Sequence, residues 1–460
     1  MNTRDTLDLL RRYESRNVTF LDPDGSWPIV WERAQGVHVW DAEGKKYLDL
    51  TAAFGVAAAG HANPAVVRAG QEQMGKLLHA MGDVHPHSLK AQLAQKLSQI
   101  TFERWSVADD VRRRTGEVNA ENRLVTSAAT GKTIFCNSGF EAVEAALKTS
   151  MMIGGKYGVI AFKGAYHGLG YGTLNATHRE HFRRPFNLQL KEFANFVDFP
   201  TKASELPVIE LQIRRFFARG WVGAILVEPV QARGGINVPP PGFLPLLRKL
   251  CDEYKALLVL DEIYTGFGRT GKWFACEHTN VVPDLICLGK ALTGGFPLSA
   301  CVGRADVMDA AWPVSEGEAI HTSTFLGHPV GCAMALAQIG EIERLNLVEQ
   351  SAKLGEALLE KLRAVTSPEL PLRQSGSSDQ RIELRARGLG LMAGVEMRRA
   401  DGSPATAESI AAIKELLKRG YVFLPEGEYA NIISFTPPLT IDEAQLEGAV
   451  KTLAEVLATD

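Results

Sequence analysis

Two residues of this chain combine a nucleophilic amine with a carboxylate at positions where both can act on one small molecule. Asp261 lies at the end of the apolar run LLVLDE, and Lys290 ends a second run, DLICLGK. Open α/β sheets bind ligands outside the carboxyl ends of their strands, so both side chains are expected at one sheet edge. Burial lowers the pKa of a lysine and makes its amine nucleophilic. A carboxylate on a neighbouring strand can keep a pyridine nitrogen protonated, and the ring then stabilises a carbanion.

A phosphate site is indicated at the start of a predicted helix, in CNSGFEAVEAALK. Ser138 and Glu141 form the S-x-x-E pattern of a capping box, and Gly139, followed by Phe140, keeps the first turn open to close approach. The free backbone N–H groups and the helix dipole favour an anion there. Taken alone, this pattern also fits an ordinary capped helix, just as a single Asp or Lys at a strand end fits a structural role.

An aromatic side chain is expected beside the same edge. The segment FKGAYHGLG follows the predicted strand GVIAF and places Tyr166 on a glycine-rich loop, where its ring can stack on a planar ligand. His167 can hydrogen-bond nearby, although a histidine next to a tyrosine is more often structural.

The strands that position these residues alternate with helices from about residue 65 to 330. Apolar runs bounded by glycine and proline are typical of a parallel sheet that is covered on both faces. The predicted strands are TIFC, GVIAF, WVGAILVEPV, ALLVLDEI, DLICLGK and SACVGR. The polar segment 104–131 is predicted to be an insertion on the surface. The sequence therefore predicts an α/β fold.

Two domains are expected, because 460 residues exceed the usual size of a single hydrophobic core. We predict a large domain at 65–330 and a smaller domain at 331–460. The N-terminal segment 1–64 is expected to contribute to the smaller domain and to the entrance of the site. Within it, the stretch from Val37 to Trp40 is predicted to pair with that from Tyr47 to Leu50 as a hairpin.

The composition indicates a protein that acts on small molecules in the cytoplasm. The formal net charge is −3 with mixed signs, which gives no reason to expect nucleic acid or a membrane as a partner. There is no apolar stretch of about 20 residues, and the charged N-terminus does not resemble a secretory signal. The six cysteines are scattered without a C-x-x-C pair, which favours reduced thiols over a disulfide framework or a zinc site.

Taken together, the motifs resemble the class III aminotransferases, the group that includes 4-aminobutyrate, ornithine and ω-amino-acid:pyruvate aminotransferases. They occur in the same order as NSGFEAVEAALK, AYHG, VEPVQARGG, LVLDEIYTGFGRTG, DLICLGKALTGGFPLSA and HTSTFLGHPVGCAMA. The similarity covers nearly the whole chain. It implies pyridoxal 5′-phosphate as the cofactor and PLP fold type I, in which a large domain with a mostly parallel seven-stranded sheet, covered by helices, is joined by a smaller α+β domain.

The resemblance also implies roles for matching residues around the cofactor ring. Lys290 would carry the cofactor as a Schiff base and then move the proton between Cα and C4′. Asp261 would pair with the pyridinium nitrogen. Ile263 would pack against the ring face opposite Tyr166, and His167 would lie within the same site.

Further roles are implied around the phosphate and between subunits. Ser138 and Gly139 would bind the phosphate together with the adjoining Phe140. Thr324, in HTSTF, would reach the phosphate from the other subunit, so a homodimer or higher oligomer with shared active sites is expected. Glu228, in VEPV, resembles the acidic residue that supports the cofactor region.

The sequence departs from the family at three positions. Tyr264 occupies a position that is commonly Gln and that can contact the phenolic oxygen of the cofactor. Arg233 replaces the Glu of the Q-G-E-G-G pattern, and Ser434 replaces an Arg that binds the α-carboxylate of the substrate. Because a buried charge pair tolerates the change of both partners better than the loss of one, the last two changes are expected to be linked.

Two hypotheses follow for the substrate pocket, which is expected between Phe54, Arg233 and Ser434. In the first, Arg233 replaces the missing arginine as a carboxylate anchor. In the second, Arg233 points to solvent and the substrate is an amine with little charge.

The predicted activity is transfer of an amino group from an amine or ω-amino acid to a 2-oxo acid, pyruvate or 2-oxoglutarate, by a ping-pong mechanism. An amino-acid racemase or epimerase of the same family remains an alternative, because both reactions begin with proton removal from Cα. The segment GFGRTG matches a dinucleotide fingerprint, but no clear helix follows it. A metal site at His79, His85 and His87 lacks a completing ligand, so no metal is expected.

Overall fold

The computed structural model describes residues 1–22, 25–106, 130–366 and 382–458. Within these residues the strands form three sheets. The strands are β1 Trp31–Gln35, β2 His38–Asp41, β3 Lys46–Asp49, β4 Gly131–Cys136, β5 Gly158–Phe162, β6 Ala194–Val197, β7 Val222–Val227, β8 Leu257–Asp261, β9 Leu285–Leu288, β10 Ser299–Arg304, β11 Ile382–Leu389, β12 Met392–Arg399, β13 Tyr421–Val422, β14 Leu424–Glu426 and β15 Ile432–Phe435.

The largest sheet has seven strands in the order β4-β10-β9-β8-β7-β5-β6. β10 runs antiparallel to both of its neighbours, and the remaining pairs are parallel. Asp261, the last residue of β8, is paired with Cys287 on β9, so the carboxyl ends of these two strands lie side by side. The predicted α/β fold with a mostly parallel seven-stranded sheet is confirmed.

Helices cover the sheets, and their bounds agree with the predicted alternation. The α-helices are Thr3–Tyr13, Pro64–Lys76, Ser88–Ser98, Gly139–Gly154, Tyr171–Ala176, Glu180–Arg183, Leu206–Phe217, Phe243–Tyr254, Ala305–Ala311, Pro329–Arg344, Leu347–Val365, Thr406–Lys418 and Glu443–Ala458, with short helical turns at Ala52–Gly55, Gln99–Glu103, Arg184–Gln189, Ala203–Glu205, Ala275–His278 and Lys290–Leu292. No helix in the described part of the chain has both the length and the apolar character that crossing a bilayer requires.

Both faces of the seven-stranded sheet are buried, which explains its continuous apolar strands. Along β5, Ile160 and Phe162 belong to one hydrophobic core, while Val159 and Ala161 belong to a second one. Successive side chains of a strand point to opposite faces, so the two cores lie on opposite sides of the sheet. A strand in this position needs apolar residues at every position.

Two four-stranded sheets lie apart from the large one. The first, in the order β1-β2-β3-β13, contains the predicted hairpin, in which His38 pairs with Leu48 and Trp40 with Lys46. Its fourth strand comes from the C-terminal part of the chain and runs parallel to β3. The second sheet has the order β11-β12-β15-β14. The predicted domain limits at 64/65 and 330/331 stay a prediction.

Most of the predicted insertion at 104–131 lies outside the described residues. Its two ends are built into the fold. Trp105 is buried and its indole N–H donates to Glu277 at 3.0 Å, and Gly131 already begins β4. The strand therefore starts two residues before the predicted TIFC.

The strands that carry the two central residues end earlier than predicted. The run ALLVLDEI is a strand only as far as Asp261, and DLICLGK only as far as Leu288. Lys290 opens a turn with a φ of 41°, a left-handed conformation that ends the extended strand. The lysine thus leaves the sheet on a sharply turned backbone.

Candidate functional site

A cavity of about 420 Å³ lies at the carboxyl ends of the parallel strands. It brings together most of the predicted site residues, which come from six separate segments of the chain. Its lining consists of Gly139, Phe140, Tyr166, His167, Gly168, Leu169, Glu228, Ala232, Arg233, Asp261, Ile263, Tyr264, Thr265 and Lys290.

Lys290 presents a half-buried amine to this cavity. Burial lowers the pKa of its ammonium group, although Asp261 and Glu228 favour the charged form. Within the described residues its Nζ has no hydrogen-bond acceptor, and it lies 4.3 Å from the centre of the Tyr264 ring. The amine is therefore positioned against the Tyr264 ring and partly desolvated, but no described residue accepts a hydrogen bond from it.

Asp261 is held by two contacts. Its Oδ2 lies 2.8 Å from Nδ1 of His167, and its Oδ1 accepts the backbone N–H of Ile263 at 3.2 Å. The other ring nitrogen of His167, Nε2, is buried and has no partner among the described residues. His167 is therefore a direct neighbour of the carboxylate and orients it, a contact that its position beside Tyr166 did not reveal.

Glu228 connects two loops of the site. Its carboxylate accepts the backbone N–H of Tyr166 at 3.0 Å and that of Ala232 at 3.3 Å. Burial raises the pKa of Glu228 from 4.5 to about 7, and the nearby Asp261 acts in the same direction. The loop that carries Tyr166 and the loop that carries Arg233 are thus fixed to the same buried acid.

The helix Gly139–Gly154 points its N-terminus at the cavity. The predicted capping box is present, with Glu141 accepting the backbone N–H of Ser138 at 2.8 Å. Within the described residues the backbone N–H groups of Gly139 and Phe140 have no acceptor, as expected for a first helical turn. A Cβ on Gly139 would lie 3.0 Å from Cδ1 of Ile263, so a glycine is needed for this close approach.

Ser138 does not line the cavity itself. Its hydroxyl donates to Glu141 at 3.2 Å, and its backbone carbonyl accepts the hydroxyl of Ser299 at 2.6 Å. The site at this helix end is therefore built from backbone N–H groups, and a direct role of the Ser138 side chain stays a prediction.

Tyr264, the first departure from the family pattern, is buried against the backbone of the N-terminal segment. A Cβ on Gly55 would lie 3.0 Å from Cε1 of the tyrosine. Its hydroxyl is 3.2 Å from Oγ1 of Thr436. The ring face, rather than the hydroxyl, is the part of Tyr264 that faces the amine of Lys290.

Arg233 lines the cavity and is paired with the buried Glu426, which was not predicted from the sequence. Its Nη1 lies 3.2 Å from Oε2 and 3.4 Å from Oε1 of Glu426, which is the last residue of β14. The guanidinium carbon is 6.0 Å from the centre of the Tyr166 ring. This placement at the cavity does not agree with the hypothesis that Arg233 points to solvent.

Three further predicted residues are, like Ser138, not brought to the cavity. Phe54 is half exposed and lies in a left-handed turn with a φ of 63°. Ser434 is buried in β15, where its hydroxyl donates to the carbonyl of Leu424 at 3.0 Å. Thr324 is exposed on the surface of the chain. Their roles stay predictions, and for Ser434 the hydroxyl is already occupied.

Other residues of the site carried little signal. Gly168 and Leu169 directly follow Tyr166 and His167 and could have been included as part of the same loop. Arg179, whose Nη2 donates to the carbonyl of Arg233 at 2.8 Å, belongs to no motif. Glu426 likewise belongs to no motif, although it lies only eight residues before Ser434.

The GFGRTG segment has a structural role. Arg269 is fully buried and its Nη1 donates to the carbonyls of Leu391 and Pro437, at 2.9 and 2.6 Å. The element that follows the segment is the short turn Ala275–His278, so the helix of a dinucleotide site is missing there.

Two of the three histidines that were considered for a metal make other contacts. The Nε2 of His87 is 2.7 Å from the carbonyl of Gly327, and the ring of His79 packs against Phe325. Among the described residues, no group of three His, Cys, Asp or Glu side chains is arranged to hold a metal ion.

Comparison with known proteins gives consistent results. The family model described as aminotransferase class-III matches residues 21–457. The chain is 36% identical over 440 residues to a putrescine aminotransferase of Pectobacterium atrosepticum, covering 94% of this chain and 83% of the relative. It is 34% identical to an acetylornithine aminotransferase of Methanopyrus kandleri, covering 98% and 99%. It is also 34% identical to a 5-aminovalerate aminotransferase of Pseudomonas aeruginosa, covering 93% of each.

Solved structures agree with these relatives. An (S)-enantioselective ω-transaminase from Thermomicrobium roseum superposes with a TM-score of 0.84 at 25% identity, over the whole of both chains. An engineered ω-transaminase from Pseudomonas jessenii superposes with a TM-score of 0.82 at 26% identity, covering 98% of this chain and 97% of that one.

Proposed function

Because this chain belongs to the class III aminotransferases, which depend on pyridoxal 5′-phosphate, we propose that it takes the amino group from an amine or ω-amino acid and passes it to pyruvate or 2-oxoglutarate by a ping-pong mechanism. The observation that carries the proposal is the amine of Lys290, which has no hydrogen-bond acceptor among the described residues and lines one cavity with the carboxylate of Asp261. The relatives named above are aminotransferases, which supports transfer over racemisation.

The residues around the cavity fit this cofactor. The N–H groups of Gly139 and Phe140 offer an anion site for its phosphate. In the same cavity, Asp261 offers a fixed carboxylate for the ring nitrogen of the cofactor. Tyr166 and Ile263, which also line the cavity, offer an aromatic and an apolar surface for the two ring faces. These four kinds of contact support the proposal.

When bound, the cofactor supplies an electron-withdrawing ring that makes the carbon beside the amino group acidic. The chain then has to move one proton. The Nζ of Lys290 would take the proton from that carbon and pass it to C4′, the carbon through which the cofactor holds the amino group, because burial lowers the lysine pKa and leaves more of the amine unprotonated. Asp261, oriented by His167 and by the N–H of Ile263, holds a proton on the ring nitrogen with its negative charge.

Replacing Lys290 by alanine tests this proposal. We expect turnover to fall by about 10²–10⁴-fold or more, because the amine that we propose moves the proton is lost. Borohydride treatment should fix the cofactor to the wild-type protein at Lys290 and should fix none to the variant. Lys163→Ala is a matched control, since Lys163 follows β5 but is exposed and paired with Asp198. Full turnover in Lys290→Ala would contradict the proposal.

We further propose a homodimer or higher oligomer in which Thr324 reaches the phosphate of the partner's site. Thr324 is exposed and lies in a surface segment with the exposed apolar residues Ile320 and Phe325. Phe325 packs against His79, next to the exposed Leu78, so the apolar surface extends beyond one segment. Exposed apolar patches of this kind are typical of protein interfaces.

We place the protein in the cytoplasm. All six of its cysteines are free and buried in the structure, and none is paired in a disulfide. Unpaired thiols are typical of proteins from reducing compartments.

A further inference from the structure

Arg233 retains hydrogen-bonding capacity that the protein does not use. Only its Nη1 approaches Glu426, at 3.2 and 3.4 Å, which is long for a charged pair. Within the described residues, its Nε and Nη2 have no acceptor. The side chain is about one-third exposed and lines the same cavity as Lys290. Its remaining donors are therefore available to a ligand in that cavity.

A second guanidinium supports Arg233 from behind. Arg179 donates from Nη2 to the backbone carbonyl of Arg233 at 2.8 Å. In the described part of the chain, no carboxylate lies within ion-pair distance of Arg179. Burial and the neighbouring Arg233 both lower the pKa of Arg179, while Glu426 and the exposed Glu428 favour its charged form. Arg179 thus fixes the backbone of Arg233 and adds positive charge beside it.

The charges of this cluster do not balance. Arg179 and Arg233 contribute two positive charges, and the buried Glu426 contributes one negative charge. The carboxylate of Glu428 also acts on Arg179, but it is exposed, so solvent and salt screen its charge. One carboxylate from a ligand would neutralise the remainder. A ligand ammonium group would instead add to an existing excess of positive charge, which is unfavourable where solvent is largely excluded.

We propose that Arg179, Arg233 and Glu426 form a subsite for the distal carboxylate of the substrates, with Arg233 as the contacting residue. The favoured amino donors are then ω-amino acids, and the favoured acceptors are 2-oxo acids with a second carboxylate. Glu426 and Arg179 are positioning residues, because they hold Arg233 at the cavity and set the net charge. The inference rests on the proposed function and specifies its substrate class.

The test compares pairs of amino donors that differ only at the distal end, such as 5-aminovalerate and pentylamine. Reaction of each donor with the holoenzyme is followed through the cofactor absorbance, and the ratio of the two kcat/KM values is the readout. Binding of glutarate, which cannot donate an amino group, is measured separately by calorimetry. The variants are Arg233→Gln, Arg179→Gln and Glu426→Gln, with Glu360→Gln as a control that removes an exposed charge on the helix Leu347–Val365.

In the wild type we expect 5-aminovalerate to be preferred by at least about tenfold, as for a charge-assisted hydrogen bond. Arg233→Gln should lower the ratio by about 10–100-fold and weaken glutarate binding. Arg179→Gln should lower the ratio less and mainly through KM. Glu426→Gln should tighten glutarate binding, because it raises the net positive charge. Glu360→Gln should change neither quantity.

The proposal is overturned if the wild type prefers pentylamine or 1,5-diaminopentane, or if Arg233→Gln leaves both the ratio and glutarate binding unchanged. Weaker glutarate binding in Glu426→Gln would contradict the excess of positive charge that we assign to Arg179, Arg233 and Glu426. If no amine reacts at all, the proposed transamination fails, and the glutarate measurement still decides the carboxylate subsite by itself.

Discussion

Gly355 and Gly340, which lie on two consecutive helices, should respond in opposite ways to replacement by alanine. Gly355 lies within the helix Leu347–Val365, and a Cβ placed on it would lie 2.3–2.4 Å from three backbone atoms of Gly390. Gly390 forms the turn between β11 and β12, and a Cβ on it would itself lie 2.3 Å from the backbone of Thr270. The helix, the turn and the loop after β8 are therefore in direct backbone contact.

The magnitudes follow from this geometry. Gly355→Ala gains about 0.5–1 kcal/mol of helix stability, as any exchange of glycine for alanine in a helix does. Against this, the methyl group overlaps backbone that cannot rotate away, and overpacking of this kind costs about 1–3 kcal/mol or more. We expect a net loss of about 2 kcal/mol or more. Gly340→Ala, in the helix Pro329–Arg344, meets nothing within 4 Å and should gain the full 0.5–1 kcal/mol.

Urea unfolding of the holoprotein, followed by circular dichroism, measures both changes as shifts of the midpoint. Gly355→Ala should shift the midpoint down, and Gly340→Ala should shift it slightly up. Because both residues lie within helices, the helix-propensity effect is common to the pair and the difference reports the contact with Gly390 alone. Equal shifts of the two variants would refute the close approach of helix and turn.

Two further predictions concern the site. The folded protein keeps the proton on Glu228 up to about pH 7, whereas the unfolded chain releases it near pH 4.5. The free energy of unfolding should therefore fall by about 3 kcal/mol as the pH rises between these values. Glu228→Gln should flatten the pH dependence of the unfolding free energy in this window, and an unchanged slope would contradict the raised pKa. In a dimer with shared sites, Thr324→Asp repels the phosphate of the partner's site and Lys290→Ala removes the amine of its own site. A hybrid dimer of the two inactive variants then has one intact site of two, so a randomly reassembled mixture should recover up to about one quarter of the wild-type activity. Hybrid dimers without activity would argue against Thr324.

Residues close to Asp261 and Lys290 in the sequence were predictable because local patterns determine them. A strand buried on both faces needs a continuous apolar run, and β8 and β9 show such runs directly before the two residues. The helix after Ser138 is marked by its capping box, which needs only residues four positions or fewer apart. The placement of Asp261 and Lys290 at one sheet edge follows from these elements alone.

The pairing of side chains from distant segments left no such pattern. His167 and Asp261 are 94 residues apart, and Arg233 and Glu426 are 193 residues apart. A carboxylate in one loop could pair with any of several Arg, Lys or His side chains in other loops. Only the packing of the loops in the folded chain determines which of these side chains it meets. For this reason the sequence identified Arg233 as unusual but left both of its orientations open.

Amino-acid order alone was enough to predict the α/β fold, from the periodicity of its strands and helices, and the cofactor, from motifs that resemble a known family. It also predicted that Asp261 and Lys290 lie at one sheet edge, where both line the same cavity. The folded chain was needed to reveal that Ser434 donates its hydroxyl to Leu424, and that Arg233 lies against Glu426 with Arg179 behind it. These contacts depend on how β14, β15 and the loops after β5 and β7 approach one another in space, and no local pattern encodes that approach.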